Sequence, residues 1–388
     1  MGIFKTIFFG SANDSAQPEQ NKEAEDKKDN TQGVNGRMQI YNLIIVDESG
    51  SMSGLRDVTL SGINETINTI REAQKEYGEK QEHFLTLVTF DSSGGIKVPP
   101  VRTVIDAMPI EQVKTFSAYH PYGSTPLYDA MGESLSKLHK KIAGNQDATG
   151  VVTVLTDGME NSSRIWRAQA LRKLIEQLKE EGWTFSYMGS AHNVKEVTDL
   201  LAIDNVVEFR HDMTGATNTW GRERSSKRAY FQKMYKDFDE NADWEQKKAL
   251  RRKYNHEYYS ERVTPDYIRT LEANGVFVFG SNPEGQHNGG AARWALENFG
   301  AIWGQGEGLQ GQSYAIPSTG GMQLMRDAVN RFCRFAREHR ELKFYVTAIG
   351  CGSAGLSPER VAPLFKDAIE LENVTLPGVF WKYLGLNM

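Results

Sequence analysis

The sequence predicts an α/β protein of two domains, the first built on a doubly wound, mostly parallel sheet. Three observations lead to this fold class. From 38 to about 212, short runs rich in β-branched and aromatic residues alternate with longer amphipathic runs, as in a parallel sheet covered by helices. Polar or glycine-rich loops follow directly on several of the strand-like runs. Finally, 388 residues are too many for one ordinary core.

Periodicity locates the elements of the first domain, which we place at 38–212. Runs of β-branched and aromatic residues predict strands at 44–46, 83–90, 151–155, 183–188 and 206–209. Apolar residues at three- and four-residue steps predict helices near 60–77, 127–142, 171–178 and 194–201. Because ligands bind beyond the carboxyl ends of the strands in open α/β sheets, we expect a site on the loops at that edge.

Composition and charge indicate a globular protein without a membrane span. Charged residues make up 24% of the chain and aromatic residues 10%, both ordinary values. A formal net charge of −5 argues against a dedicated nucleic-acid-binding protein. No apolar run approaches the roughly 18 residues that cross a bilayer. The two cysteines, Cys333 and Cys351, indicate a reducing compartment, so we expect a cytoplasmic protein.

Residues 1–37 are predicted to form a disordered N-terminal segment. From residue 10 onward the segment is almost entirely polar and glycine-rich, so it buries too little apolar surface to offset its ordering entropy. Five apolar residues precede this stretch, which favours a loosely packed start, with docking on a partner or a membrane surface as the alternative. Gly2 and Thr6 formally fit a loose N-myristoylation pattern.

Oxygen-bearing side chains follow the strand at 44–46 at alternate positions. Asp47, Ser49 and Ser51 offer one carboxylate and two hydroxyls on a tight loop, where all three can point at one hard cation. Oxygen ligands of this kind suit Mg²⁺ or Mn²⁺. Taken alone, the same pattern is also typical of a Ser/Asp-rich turn that caps a helix.

This motif resembles the D-x-S-x-S signature of the von Willebrand factor A domain, and 122–130 and 155–158 resemble that family's second and third metal loops. The resemblance implies a Rossmann-like fold with a metal-ion-dependent adhesion site, at which an acidic side chain of a partner protein completes the coordination. The implied ligands are Asp47, Ser49, Ser51, Thr125 and Asp157. We expect Glu48 and Asp129 to support the site. No general base or nucleophile is evident there, so this domain is expected to bind rather than to catalyse.

The segment 213–264 is predicted to be a charged helical connector. It mixes basic residues with tyrosines, a combination that can indicate nucleic-acid contact. Acidic residues are interspersed through the same stretch, which disfavours that alternative. We therefore expect helices with a solvated, charged face.

A second, smaller α/β domain is predicted for 265–388. Strands at 276–279 and 344–350 each run into a glycine-rich loop that opens a helix, the loops lying at 282–292 and 351–358. Small residues at such turns let the backbone approach a ligand closely, and helix N-termini favour anionic groups. The backbone N–H groups of the two loops are therefore expected to wrap a diphosphate.

The two loops resemble those of macro domains, which bind ADP-ribose and its derivatives, and 299–317 resembles a bacterial and phage macro-like subfamily. The resemblance implies a three-layer fold in which Asn282 holds the ribose and His287 acts as acid or base. The implied nucleotide-binding residues are Asn282, Gly289, Gly290, Ala291, Gly350, Gly352, Ser353, Ala354 and Gly355. As alternatives, Asn282 is a turn residue and His287 a hydrogen-bonding neighbour. Candidates for stacking on adenine, or else for the core, are Trp303, Tyr314 and Phe380.

Together these features predict a metal-dependent protein-binding domain coupled to a domain for ADP-ribose, a related nucleotide or an ADP-ribosylated macromolecule. The whole chain resembles intracellular bacterial von Willebrand A proteins of the tellurium-resistance type, which implies a setting in stress response or phage defence. The alternative is an ADP-ribosyl hydrolase whose first domain recruits the substrate, with Asn282 and His287 as catalytic residues.

Overall fold

The computed structural model describes residues 36–92, 99–190, 194–255, 258–259 and 262–387. The predicted disordered segment therefore lies outside the described residues, apart from its last two positions. Within the described ranges, no helix combines the length and the apolar character needed to cross a membrane.

Strands and helices alternate along most of the described chain, and each strand and helix predicted for the first domain is present. The strands are β1 (Met38–Asp47), β2 (Gln81–Phe90), β3 (Val101–Pro109), β4 (Ala148–Thr156), β5 (Thr184–Ser190), β6 (Asn205–Phe209), β7 (Val263–Thr264), β8 (Gly275–Ser281), β9 (Gly308–Gln310), β10 (Ser313–Pro317), β11 (Lys343–Val346), β12 (Val374–Pro377) and β13 (Leu386–Asn387). The α-helices are α1 (Arg56–Tyr77), α2 (Leu127–Ile142), α3 (Ala168–Glu180), α4 (Val194–Leu201), α5 (Met213–Asp237), α6 (Trp244–Asn255), α7 (Gly290–Asn298), α8 (Met322–Glu338), α9 (Pro358–Val361) and α10 (Gly378–Tyr383). Short 3₁₀ helices cover Gly50–Leu55, Ile110–Gln112 and Ala362–Glu370.

The first sheet of the described chain has the strand order β13-β6-β5-β4-β1-β2-β3. Its central pairs, from β6 to β2, are parallel, and only the edge strands β13 and β3 run antiparallel to their neighbours. Side chains of β1 alternate between the two faces, as expected of a strand. Ile44 and Val46 pack into the core that contains α1, and Leu43 and Ile45 into the core that contains α2 and α3. The predicted doubly wound, mostly parallel sheet is confirmed.

The second sheet has the order β7-β12-β11-β8-β10-β9, and only β9 is antiparallel to its neighbour. Phe277 and Phe279 of β8 pack against residues of α7 on one face. Val276 and Val278 lie in the core that contains α8 on the other face. A smaller α/β unit of three layers, as predicted, therefore follows the first sheet.

Helix α5 joins the two sheets, and the prediction of a solvated face is wrong for it. Glu223 and Lys227 are fully buried, with Lys227 Nζ at 3.3 Å from Glu223 Oε1. One hydrophobic core runs from α1 through Trp220 of α5 to Phe365 near the second sheet. Because this part of α5 is covered by core residues, Glu223 and Lys227 pair inside the protein rather than facing solvent.

The chain also returns to the first sheet after completing the second. Strand β13 pairs with β6, with Leu386 opposite Phe209. Neither β13 nor β3 was predicted from the sequence. Strand β13 has only two residues, and β3 has an irregular burial pattern without the strict alternation that marks a half-buried strand.

Candidate functional site

The candidate metal centre lies where the strand order of the first sheet reverses. Strand β1 ends at Asp47, the neighbouring strand β4 ends at Thr156, and Asp157 follows directly. From β1 the chain adds β2 on one side, and later adds β4 on the other side. Loops that leave two adjacent strands in opposite directions open a crevice at their carboxyl ends, which is where open α/β sheets bind ligands.

The first loop, which follows β1, is held in place by a hydrogen bond to the carboxylate of Asp47. Oδ1 of Asp47 accepts a hydrogen bond of 2.7 Å from the backbone N–H of Ser49. The hydroxyl oxygens of Ser49 and Ser51 lie 3.1 Å apart. Ser51 Oγ in turn donates a 2.6 Å hydrogen bond to Oδ1 of Asp157. These contacts bring the first and third loops together, although they are 106 residues apart in the chain.

The second loop reaches the same crevice through Thr125. A Cβ atom placed on Gly158 would lie 2.9 Å from Thr125 Oγ1, 3.7 Å from Asp47 Oδ2 and 3.7 Å from Ser51 Oγ. Three oxygens from the first and second loops thus surround the position of Gly158 in the third loop, and only a glycine leaves that position open. Gly123 adopts φ = +87° and its carbonyl accepts a 3.0 Å hydrogen bond from Gly50 N–H, which joins the second loop to the first. The structure thus brings all five predicted ligands together.

Asp47 is buried at this crevice, where the ionised form of its carboxyl group is destabilised. Burial, with a smaller contribution from the nearby Asp157, raises the pKa of Asp47 to about 6, against the lowering effect of hydrogen bonds from Thr156 and Ser49. A buried carboxylate costs free energy unless a positive charge compensates it. The donor set, two carboxylates and three hydroxyls, fits a hard divalent cation that keeps part of its water shell.

Two further carboxylates hold the loops in place. Asp129 accepts backbone hydrogen bonds from Arg164 at 2.7 Å, Ile165 at 2.9 Å and Trp166 at 2.7 Å, so it anchors the loop after β4 to the start of α2. Glu48 forms an ion pair of 2.7 Å with Arg102 of β3. Both side chains support the loops, as expected from the sequence.

His211 also reaches the site, and the sequence reasoning missed it. Its Nε2 lies 2.6 Å from Oδ2 of Asp157. The available signal was positional, because His211 follows the predicted strand at 206–209 and therefore lies at the same edge as the metal loops. Groups of three His, Cys, Asp or Glu side chains that could hold a metal were not found among the described residues.

The two glycine-rich loops of the second sheet lie side by side, because they follow the adjacent parallel strands β8 and β11. A Cβ atom on Gly280 would lie 3.4 Å from the backbone nitrogen of Gly350. By contrast, Cβ atoms on Gly289, Gly290, Gly352 or Gly355 would meet no atom within 4 Å. These four positions face open space, which leaves room for a ligand close to the backbone. Ser353 is exposed beside them, and Ala354 is half-buried.

A cleft of about 410 Å³ adjoins the first of these loops. Gly290 and Ala291, at the N-terminus of α7, form one wall, and Thr347 lies at the end of β11. Tyr267, which also lines the cleft, is 89% exposed. Trp294 contributes its ring and donates a 2.9 Å hydrogen bond to Ile268 O. A small-residue turn, a helix N-terminus and an open aromatic ring thus meet in one cleft.

Asn282 and His287 make contacts typical of structural residues. Asn282 Oδ1 accepts a 2.8 Å hydrogen bond from Gln286 N–H within its own turn. His287 is 1% exposed, with Nε2 at 3.0 Å from Ile302 O and Nδ1 at 3.4 Å from Ser281 Oγ. Both ring nitrogens therefore have partners inside the protein. These contacts favour the turn and neighbour roles over the catalytic ones.

The remaining candidates divide between core and surface. Tyr314 and Phe380 are buried in the core, whereas Trp303 is 56% exposed. Cys351 is half-buried, and burial raises the pKa of its thiol, which disfavours the nucleophilic thiolate.

No family model matches the sequence, and no curated protein matches it. Solved structures show distant similarities. The VWA domain of SpRpn10 is 9% identical, with 48% of this chain and 95% of that chain covered and a TM-score of 0.34. Proximal thread matrix protein 1 from the mussel byssus, with a zinc-occupied MIDAS motif, is 13% identical, with 67% and 57% covered and a TM-score of 0.33.

The PilB minor pilin from Streptococcus sanguinis is 12% identical to this chain, with a TM-score of 0.36. The match covers 51% of this chain and 63% of the pilin. The chain therefore spans less than two thirds of the length of the pilin and of the byssus protein. At these identities and TM-scores the similarity does not show a family, so function has to be inferred from the geometry of the chain itself.

Proposed function

We propose that the carboxyl edge of the first sheet binds a divalent cation, Mg²⁺ or Mn²⁺, and through it an acidic side chain of a partner protein. The observation that carries this proposal is the convergence of Asp47, Ser49, Ser51, Thr125 and Asp157 from three separate loops. A bound cation would supply positive charge and an open coordination position for the partner's carboxylate.

The protein residues around the crevice suit such a partner. Ser51 is exposed, so the crevice opens to solvent on its side. Tyr122, in the second loop, is 71% exposed, and Met159, in the third loop, is 58% exposed. These side chains present apolar surface beside the ligand set, where an exposed protein segment with an acidic residue can pack.

Isothermal titration of Mn²⁺ into the full chain tests the metal site. We expect binding that Ser51→Ala weakens, whereas Ser53→Ala leaves it unchanged. Ser53 is a matched control in the same loop, because its hydroxyl donates to Gly50 O at 2.7 Å and not to the ligand set. Equal effects of the two variants would refute the site. Peptide arrays in which one position is either Glu or Gln, probed with the protein in Mg²⁺ and in EDTA, then test whether the partner binds through an acidic side chain.

We further propose that the cleft beside α7 binds ADP-ribose or a related nucleotide. The specific observation is that the exposed Tyr267 lines the same cleft as Gly290 and Ala291 at the N-terminus of α7. An aromatic ring can stack on a base, and a helix N-terminus favours phosphate. We propose binding rather than hydrolysis, because Asn282 and His287 are engaged in local structure. A setting in bacterial stress response or phage defence is part of this proposal and derives from the motif resemblance alone.

Titration of ADP-ribose into the full chain, with Tyr267→Ala and the control Tyr383→Ala on α10, tests the cleft. We expect Tyr267→Ala to weaken binding severalfold and Tyr383→Ala to leave it unchanged. Release of ADP-ribose from a modified protein, measured in parallel, would instead support the hydrolase. An absence of heat at millimolar ligand would refute nucleotide binding.

A further inference from the structure

The carboxylate of Asp157 is held from two sides by different residues. Its side chain is fully buried. Oδ1 accepts a hydrogen bond from Ser51, at 2.6 Å. Oδ2 lies 2.6 Å from Nε2 of His211, whose side chain is 41% exposed. Because a carboxylate only accepts hydrogen bonds, Nε2 of His211 is the donor.

The backbone around His211 is anchored on both sides. Arg210 N–H donates a 3.2 Å hydrogen bond to Gly385 O, beside the β13 edge strand. On the other side, Asp212 caps α5, with Oδ1 accepting a 2.7 Å hydrogen bond from Gly215 N–H. Arg210 and Asp212 also form an ion pair of 3.2 Å. The imidazole is therefore presented to Asp157 by a fixed segment.

We propose that His211 is a positioning residue of the metal centre. By binding Oδ2, it sets the rotation of the Asp157 carboxylate so that Oδ1 points at Ser51 and the cation. Without the imidazole, only the Ser51 hydroxyl orients the carboxylate, and a bound ion would have to complete its ordering. Groups that orient a metal ligand in this way typically contribute about 10- to 100-fold to metal affinity. This inference rests on the proposed metal site.

The sign of the effect separates positioning from simple electrostatics. If His211 acted only as a nearby positive charge, its removal would strengthen cation binding. A positioning role predicts instead that removal of His211 weakens cation binding, because the Asp157 carboxylate is then less ordered. Glutamine places a donor nitrogen near the position of Nε2 without the charge, so His211→Gln should retain the orientation of Asp157.

The test is Mn²⁺ binding to the full chain, measured from the EPR signal of free Mn²⁺. We expect His211→Ala to weaken binding by about 10- to 100-fold and His211→Gln to restore most of the affinity. His339→Ala is the matched control, since His339 forms a comparable surface pair with Glu341 at 2.9 Å and is 40% exposed. It should bind Mn²⁺ as the wild type does.

Several outcomes would overturn the proposal. Unchanged or tighter binding by His211→Ala would exclude positioning, and so would equal losses in the Ala and Gln variants. Coupling to a directly bonded ¹⁴N in pulsed EPR of the wild type would make His211 a ligand instead. A folded wild type that binds no Mn²⁺ would refute the metal site itself, and with it this proposal. Failure of the metal site is distinguishable from failure of the positioning role, because it is measured on the wild type alone.

Discussion

Thr153 of β4 donates a 2.6 Å hydrogen bond to Oε1 of Glu223 on α5, and both side chains are fully buried. The same carboxylate accepts hydrogen bonds from Tyr258 at 2.8 Å and from Tyr259, and it lies 3.3 Å from Lys227 Nζ. One buried glutamate thus joins the first sheet to the helix that carries the core towards the second sheet.

Removing this carboxylate should destabilise the protein strongly. Glu223→Ala leaves Lys227 buried without its ionic partner, so we expect a loss of about 3–5 kcal/mol in the free energy of unfolding. Urea denaturation measures it. Glu180→Ala is the control, since Glu180 is 79% exposed and pairs with Arg252 at the surface, where a pair contributes about 0–1 kcal/mol. Similar losses in the two variants would contradict the role of Glu223.

His83 should make the fold sensitive to acid. Burial, together with the charge of Lys227, lowers its pKa to about 3. In the unfolded chain the pKa is about 6.5. The unfolded state therefore binds the proton first, so stability is complete above pH 6.5 and falls towards pH 3, by at most about 1.4 kcal/mol per pH unit. Denaturation at pH 7, 6, 5 and 4 should show a shallower decline for His83→Gln than for the wild type.

Replacing two helical glycines by alanine should change the stability of the protein in opposite directions. A Cβ on Gly62 of α1 would lie 2.3 Å from the indole of Trp220, so overpacking should destabilise the fold by about 1–3 kcal/mol. A Cβ on Gly221 of α5 would lie 3.5 Å from its nearest neighbour, Glu370, which is ordinary contact. Gly221→Ala should therefore gain up to about 1 kcal/mol of helix propensity. Thermal denaturation of the two variants measures both effects. A stable Gly62→Ala protein would show that α1 and α5 pack less closely than described.

Replacing Asp47 should stabilise the metal-free protein while removing its response to metal. The folded pKa of about 6 lies above the ordinary value, so ionised Asp47 reduces stability at pH 7. We expect Asp47→Asn to raise the free energy of unfolding by about 3 kcal/mol without metal. Mg²⁺ should raise the melting temperature of the wild type and not that of the variant. If the variant were less stable than the metal-free wild type, the proposed destabilisation by the ionised Asp47 carboxylate would be contradicted.

Much of the candidate metal centre was predictable, because its ligands sit in short motifs that directly follow strand-like runs. Once β1 and β4 are adjacent and parallel, the positions of Asp47 and Asp157 at one edge follow from strand geometry. The glycine-rich loops after β8 and β11 are brought together by the same rule. His211 follows the predicted strand at 206–209, but a single histidine carries no motif, and only its contact with Asp157 distinguishes it.

Local sequence therefore determined the α/β class, the strands and helices of the first domain, and the loops that carry the oxygen ligands, since these depend on periodicity and on residues close in the chain. The tertiary structure alone decided the burial of Glu223 and Lys227 in α5, the return of β13 to the first sheet and the contact of His287 with Ile302. These features depend on which distant surfaces cover one another. From the sequence alone, a charged helix such as α5 is predicted to face solvent. Once other parts of the fold cover it, its buried charged side chains require partners of opposite charge.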